Sequence, residues 1–296
     1  MNRVLLFKKF AGKLSKLGLG KSQTMVKVYE EILSYLGSRI RADFIEIEGQ
    51  RLFLDKEDSL MLSIKNKEHE NFETECAKNI INEGDVVVDL GANIGYYTLI
   101  FAKLVGKNGE VFAFEPEPNN FELLKKNVEF NLHKNVTLIQ KAVSDKNGIV
   151  KMYVSKRNLA SHRIFDAGDN RKTINVDTIT LDEFFKDYPR QINFIKMDVE
   201  GVEGGVILGA SNLLEKSKKI SIMTEYFPKL IEKFGMNPED IIKLLIDKDF
   251  KIYHIDNIRK KLNQVDLDYI TSNFSVQKKN YANFLCIKGN ESKIKF

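Results

Sequence analysis

The amino-acid sequence predicts an α/β protein, a mostly parallel sheet with helices on both faces. Strand-like and helix-like patterns alternate from Gly84 onward, and repeating strand–helix units imply parallel strands joined by right-handed crossovers. Residues 86–90, Val-Val-Val-Asp-Leu, form a buried strand pattern that breaks into glycine at Gly91 and Gly95 before a helix begins. A turn after the first strand is where open α/β sheets bind ligands, so this turn is the first place to look for a site.

Each element is predicted from its local pattern. Apolar runs or alternation predict the strands, and apolar residues three and four positions apart predict the helices. In chain order the prediction is strand 85–90, helix 95–105, strand 110–115, helix 119–132, strand 136–144, strand 149–154, strand 192–199, helix 202–216, strand 219–227, helix 238–248, strand 251–256 and strand 282–288.

Two pairings and one loop complete this prediction. Residues 149–154 should add to strand 136–144 as a hairpin. The last two strands should pair antiparallel, because no convincing helix separates them. Residues 155–175 are polar and lack periodicity, and a loop of this length inside a compact α/β domain is usually functional.

The chain divides into three predicted parts. Residues 1–40 form a basic N-terminal helical extension, in which 3–18 place apolar residues at helical spacing with lysines beside them. Residues 41–83 contain a small hairpin and a helix that leads into the core. Residues 84–290 form the main domain.

The positive charge is concentrated in the extension. Residues 1–40 hold eight Lys and Arg against two Glu, whereas the rest of the chain holds 38 basic and 39 acidic residues. A main domain that grips a nucleic-acid backbone would normally carry the basic surface itself. The extension is interpreted either as a helix packed on the domain or as a weak contact with an anionic membrane face or an acidic partner.

Other bulk features narrow the protein class. No apolar run approaches the roughly 20 residues that span a bilayer, and the basic, apolar start lacks a long signal-peptide core. Cys76 and Cys286 lie far apart in apolar stretches, which is typical of buried thiols in a reducing compartment. The expected location is cytoplasmic. The alternative is a peripheral position at the inner membrane face, which the basic helix would contact. The oligomeric state is left open.

Two acids distinguish the first turn from a dinucleotide site. Asp89 ends the first strand, and the spacing Gly91–Gly95 is not the pattern that accommodates a pyrophosphate. A carboxylate here suits a ligand with cationic groups. Glu115 ends the second strand about 20 residues past Gly95, where an acid takes ribose hydroxyls, and Pro116 holds the chain extended beyond it. This combination indicates S-adenosylmethionine binding.

Six blocks of the chain also resemble a known family. "VVVDLGANIGYYTLIFAK", "VFAFEPEPNNFELLKKNV", "IQKAVSD", "VDTITLDEF", "INFIKMDVEGVEGGVILGA" and "NFLCIK" are together similar to the FkbM family of S-adenosylmethionine-dependent methyltransferases, in order from about 84 to 288. The resemblance implies a class I methyltransferase (Rossmann-like) fold with a seven-stranded sheet. It also implies O-methylation of a hydroxyl on a sugar, glycan or secondary metabolite.

The resemblance assigns cofactor contacts residue by residue. Those matched to the methionine end of the cofactor are Asp89, Gly91, Asn93, Gly95 and Thr98, with Tyr96 as a further contact or a packing residue. Glu115 matches the ribose acid, followed by Pro116. The end of strand 136–144 falls where the adenine edge would lie, which assigns Val143, Ser144 and Asp145 to adenine.

The fourth strand is predicted to carry the catalytic groups. Period-two alternation puts Lys196, Asp198 and Glu200 on one face, next to the point where strand order reverses. An alcohol needs a base before it attacks a methyl group, and Asp198 or Glu200 can supply one. A structural role, capping or pairing on the next helix, is the alternative for Glu200 and more so for Glu203.

Further site assignments stay open at this point. His162, in the long loop, is the alternative base, because imidazole titrates near neutral pH. Glu225 and Tyr226, at the end of the fifth strand, are candidates for lining the acceptor pocket, with no role there as the alternative. The acids at 198–203 lack His or Cys neighbours at ligand spacing, so no metal is predicted.

Two other functions are weighed against methylation of a small molecule or glycan. A nucleic-acid methyltransferase that acts on flipped bases typically has an aromatic, proline-containing loop after the fourth strand, where this chain has Asp-Val-Glu-Gly. A non-catalytic cofactor-binding scaffold should have lost Asp89 or Glu115, and both are present. The predicted partner is therefore a small-molecule or glycan acceptor and not a nucleic acid.

Overall fold

The computed structural model describes residues 44–54, 71–155, 162–166, 168 and 170–289. The predicted basic helix and its membrane contact lie outside the described residues. Within the described part, none of the helices combines the length and the apolar character needed to cross a membrane.

Thirteen strands are described, eight of them in a central sheet. Their bounds are β1 (Phe44–Ile47), β2 (Gln50–Phe53), β3 (Val86–Leu90), β4 (Glu110–Phe114), β5 (Val136–Ile139), β6 (Ala142–Val143), β7 (Gly148–Val154), β8 (Lys172–Ile179), β9 (Phe194–Met197), β10 (Ile220–Tyr226), β11 (Lys251–Asp256), β12 (Lys261–Val265) and β13 (Ala282–Lys288). The central sheet has the order β12-β11-β13-β10-β9-β3-β4-β5.

The helices flank this sheet. Those that the structure describes are α1 (Asn71–Ile80), α2 (Tyr96–Val105), α3 (Pro118–Phe130), α4 (Leu181–Phe184), α5 (Glu203–Gly209), α6 (Ser211–Lys216), α7 (Pro228–Phe234), α8 (Pro238–Asp247) and α9 (Leu267–Asn273). Along β3, Val86 and Val88 pack into one core cluster and Val87 into another on the opposite face. Apolar packing on both faces explains why β3 reads as a continuous apolar run and not as an alternation.

The class I arrangement is confirmed. Strands β5, β4, β3, β9 and β10 run parallel, and β13 inserts antiparallel between β10 and β11. The predicted antiparallel pairing of 251–256 with 282–288 is therefore correct. An eighth strand, β12, extends the sheet beyond the predicted seven, and α9 follows it. Strand β12 was missed because it is a largely exposed, polar edge strand without an apolar pattern.

The prediction around 136–154 was wrong in its pairing. The strand ends at Ile139, and Ala142–Val143 belongs to a separate three-stranded sheet of order β6-β8-β7. Residues 149–154 pair with β8 and not with 136–144. Strand β8 begins inside the predicted loop and escaped notice because only Val176 and Thr178 of its side chains are buried.

Two helix predictions also need correction. The predicted helix 202–216 is divided at Ala210 into α5 and α6, and α7 was not predicted.

The hairpin of β1 and β2 is present as expected and is held against α3 by Asn127. The amide nitrogen of Asn127 donates to the carbonyls of Phe53 (3.0 Å) and Ile94 (2.7 Å). Asn127 therefore joins the hairpin to the loop that follows β3.

Candidate functional site

A cleft of about 560 Å³, partly open to solvent, lies beyond the carboxyl ends of β3, β4 and β9. Strand order reverses between β9 and β3, which is where α/β sheets leave a crevice. The residues that line the cleft come from six segments and are Leu90, Gly91, Asn93, Phe114, Glu115, Pro116, Asn120, Lys141, Ala142, Val143, Met152, His162, Ile164, Asp198, Val199, Glu200 and Val202.

Gly91 brings the loop after β3 against the loop after β9. Its φ of +76° lies in the left-handed region, and an added Cβ would stand 2.0 Å from the backbone oxygen of Asp198. Only glycine permits this approach. The two loops that form the cleft floor are therefore in backbone contact.

Glu115 joins the first loop to the end of β4. Its carboxylate accepts hydrogen bonds from the backbone N–H groups of Asn93 (2.8 Å) and Glu117 (2.9 Å). Burial raises the pKa of the Glu115 carboxyl from 4.5 to about 8, although both N–H donors act in the opposite direction. Each oxygen has a further lone pair, so the carboxylate can still accept from a ligand hydroxyl in the cleft.

Asp89 is placed behind this loop. It is 1% exposed, and Thr98 donates a hydrogen bond from Oγ1 to its carboxylate at 2.6 Å. The cleft lining does not include Asp89, Gly95, Tyr96 or Thr98. Tyr96 packs edge-on against Tyr97, with ring centroids 5.1 Å apart. These residues support the loop, and their direct contact with a cofactor stays a prediction.

The predicted adenine contacts are also separated. Val143 lines the cleft, whereas Ser144 and Asp145 do not. Ser144 is buried and donates from Oγ to Asp145 at 3.1 Å. A Cβ at Gly209 would stand 2.1 Å from the carbonyl oxygen of Ser144, so this segment packs against α5.

Lys196 and Asp198 form an ion pair at the end of β9. The Lys196 ammonium is 3.0 Å from the Asp198 carboxylate and 4.5 Å from the centre of the Tyr97 ring. The Lys196 side chain is buried, while that of Asp198 is 38% exposed. Lys196 therefore holds Asp198 at the cleft from inside the protein.

Glu200 adopts an uncommon backbone conformation. Its φ of +56° is in the left-handed region, which a residue other than glycine adopts at a cost in strain. Glu200 lines the cleft. Burial, followed by repulsion from Asp198 and Glu203, raises the pKa of its carboxyl to about 8. Strain at a cleft acid of raised pKa is typical of a functional residue.

Glu203 supports the same loop from within the core. Its Oε1 accepts from the backbone N–H of Gly201 at 3.2 Å. Burial raises the pKa of Glu203 to about 7. The structural interpretation of Glu203 agrees with this placement.

His162 lines the cleft with a defined ring orientation. Its Nδ1 accepts a hydrogen bond from the backbone N–H of Ser155 at 3.0 Å. Burial lowers the pKa of the His162 ring, with a smaller opposing effect of Glu117. The neutral ring therefore carries its proton on Nε2 and presents a donor, which does not favour the role of base.

Glu225 and Tyr226 do not line the cleft. Burial, then repulsion from Asp198 and Glu203, raises the pKa of Glu225 well above its usual range. Tyr226 is buried and packs against Phe284, with ring centroids 5.6 Å apart, so its side chain belongs to the core.

Several lining residues were missed by the sequence analysis. Asn120 lies in the first turn of α3, and Lys141 precedes β6. Met152 lies on β7 and Ile164 packs against the sheet of β6, β7 and β8, whose pairing was mispredicted. A helix start directly after the second acid was the one signal that could have identified Asn120. Within the described ranges, no group of three or more His, Cys, Asp and Glu is arranged to hold a metal ion.

The raised carboxyl pKa values predict a loss of stability with rising pH. Glu115 and Glu200 hold their protons up to about pH 8 in the folded protein, while the unfolded chain releases them near 4.5. The unfolded state therefore binds fewer protons across this window, and the free energy of unfolding falls as pH increases. Urea unfolding between pH 6.5 and 9 checks this prediction. The range begins at pH 6.5 because the buried histidines oppose the trend only below their ordinary pKa of 6.5. Glu200→Gln should flatten the decline, and an equally steep decline in this variant would contradict the assignment.

Comparison with known proteins identifies one family and two similar proteins. The Methyltransferase FkbM domain matches residues 89–252, more than half of the chain. The hexuronic acid methyltransferase AglP of Haloferax volcanii is 28% identical over 166 residues, which cover 55% of this chain and 62% of that protein. The 2-O-methyltransferase NoeI of Sinorhizobium fredii is 28% identical over 157 residues, 48% of this chain and 63% of that protein. The chain thus spans less than two thirds of each relative.

One solved structure is similar to this chain at a low level. The S-adenosylmethionine-dependent O-methyltransferase of Thermotoga maritima has 14% sequence identity and a TM-score of 0.41, and the match covers 83% of this chain and 77% of that one.

Proposed function

Because this chain belongs to the FkbM methyltransferase family, we propose that it methylates a hydroxyl group on a sugar, a glycan or another small metabolite. The observation that carries the proposal is the position of Glu200, a carboxyl of raised pKa on the wall of the cleft beside Asp198. The names of two relatives, a hexuronic acid methyltransferase and a 2-O-methyltransferase, support a sugar acceptor.

The cleft residues fit S-adenosylmethionine, the cofactor of this family, which supplies an electrophilic methyl group on a sulfonium sulfur. Gly91 lines the cleft, and its lack of a side chain lets the loop after β3 lie directly against the loop after β9 on the cleft floor. Glu115 would accept from the ribose hydroxyls, and Pro116, Asn120 and Val143 would enclose the adenosine. The acids at and behind the first loop and after β9 suit the positive charge of the methionine end.

Glu200 is proposed as the base. In-line methyl transfer requires an acceptor hydroxyl that is oriented and that loses its proton as it attacks. A carboxyl whose pKa is about 8 is well matched to this step near neutral pH. Asp198 is less suited, because it is paired with Lys196 at 3.0 Å. The Lys196–Asp198 pair would instead orient the acceptor beside Glu200.

The test is the chemical form of the product. The protein is incubated with methyl-labelled S-adenosylmethionine and a panel of hexuronic acid glycosides, neutral hexosides and amino sugars. Label should appear on uronic or neutral sugars as a methyl ether that resists mild alkali. Label that alkali releases, as from a methyl ester, or label carried on the nitrogen of an amino sugar would contradict the proposal.

A further inference from the structure

We propose that His162 is a positioning residue that donates a hydrogen bond from Nε2 to the adenosine portion of the methyl donor. The inference deepens the proposed function and rests on it, since it names a cofactor contact within the same cleft. It replaces the interpretation of His162 as the base.

The ring orientation is set by the backbone. Ser155 directly follows β7, and its N–H donates to Nδ1 of His162 at 3.0 Å. A nitrogen that accepts a backbone N–H cannot carry a proton itself, so the neutral ring is protonated on Nε2. The bond also resists ring protonation, because a charged ring would place two donors against each other.

The second ring nitrogen has no hydrogen-bond partner in the part of the chain that the structure describes. His162 is 8% exposed, and its Nε2 is buried without a hydrogen-bond partner among the described residues. Buried polar groups are almost always hydrogen-bonded, since leaving one unpaired is costly. Because His162 lines the cleft, an acceptor atom of a bound ligand is the partner that the site lacks.

The neighbours of the ring favour adenosine over the methyl acceptor. Of the carboxylates, Glu117 acts most strongly on His162, and it caps the start of α3 beside Asn120. Arg171 is the charged group that acts in the opposite direction. Glu117 adjoins Glu115 on the side of the cleft assigned to ribose. Ile164, two residues after His162, packs against the cluster of Ala142, which precedes Val143 on the side assigned to adenine. Adenine nitrogens and ribose oxygens offer acceptors on that side.

A matched pair of substitutions separates the two ring nitrogens. The amide of Asn reaches the position of Nδ1, so His162→Asn keeps an acceptor for Ser155 and loses the donor in the cleft. The amide of Gln reaches the position of Nε2, so His162→Gln keeps that donor. Calorimetry with S-adenosylhomocysteine should show about tenfold weaker binding for His162→Asn, the size expected for one lost hydrogen bond, and near wild-type binding for His162→Gln.

A second measurement needs no ligand. In the free protein at neutral pH, the imidazole nitrogens of His162 observed by ¹⁵N NMR should show a neutral ring protonated on Nε2. A ring that is charged or protonated on Nδ1 would overturn the inference, as would His162→Asn binding S-adenosylhomocysteine as tightly as the wild type. Should the wild type itself fail to bind S-adenosylhomocysteine, the proposed function falls first. Thermal unfolding of both variants shows whether any loss of binding comes from loss of fold.

Discussion

Glu200→Gln is expected to reduce kcat by about 10²–10⁴-fold, the usual contribution of a general base, and to leave the affinity for S-adenosylhomocysteine unchanged. The substitution keeps the size of the side chain and removes its ability to take a proton. Glu200 lies on the cleft wall, and burial with the nearby charges of Asp198 and Glu203 raises the pKa of its carboxyl to about 8. Steady-state kinetics on the accepted sugar, with calorimetry of the same preparations, measures both quantities.

The pH profile makes this prediction specific to a base. Because the carboxyl must be ionised to accept a proton, kcat should rise with pH through about 8 in the wild type and then level off. That limb should be absent from the residual activity of Glu200→Gln. Glu239→Gln, at the exposed start of α8, is a matched control that should change neither quantity. Retention of near wild-type kcat in Glu200→Gln, with loss in Asp198→Asn, would move the base to Asp198.

Gly91→Ala is expected to remove cofactor binding and to destabilise the protein strongly. The added Cβ would lie 2.0 Å from the backbone oxygen of Asp198, so the loop after β3 or the loop after β9 has to move. Overpacking of this kind costs about 1–3 kcal/mol, beyond the roughly 1–2 kcal/mol for an alanine in the left-handed region. Urea unfolding gives the stability change, and calorimetry with S-adenosylhomocysteine gives the loss of affinity.

Gly84→Ala isolates the steric part of this effect. Gly84 has a φ of +88°, close to that of Gly91, but its added Cβ would meet nothing within 4 Å. This variant should show the backbone cost alone and retain full cofactor affinity. Equal destabilisation in the two variants would mean that the contact between the two loops contributes nothing, and the account of the cleft floor would be wrong.

Much of the fold was readable because its signals are local. The apolar run of β3 and the glycines after it are contained in ten residues, and they predicted both the strand and the turn. Glu115 lies on the cleft directly after a clearly patterned strand, and its contact with a cofactor stays a prediction. By contrast, β12 and β8 carry few buried side chains, so their sequences lack the periodicity from which a strand is predicted.

The placement of individual acids needed the packed structure. Asp89 is the last residue but one of β3 and Glu115 directly follows β4, yet Asp89 is hydrogen-bonded to Thr98 on α2 while Glu115 lines the cleft. Which way a strand-end side chain turns depends on the helix that packs over it. Likewise, the sequence shows that residue 162 is a histidine, but it does not show which ring nitrogen accepts the hydrogen bond from Ser155.

The chain's own order of residues was enough to establish the family, the methyl donor and the parallel core, since each depends on spacing within short segments. The pairing of β7 with β8, the contact of Gly91 with Asp198, and the grounds for proposing Glu200 as the base before Asp198 and His162 emerged only in three dimensions. These features depend on groups brought together from distant segments. Burial and neighbouring charge then set the proton affinity of each group, and neither can be read from a residue and its sequence neighbours.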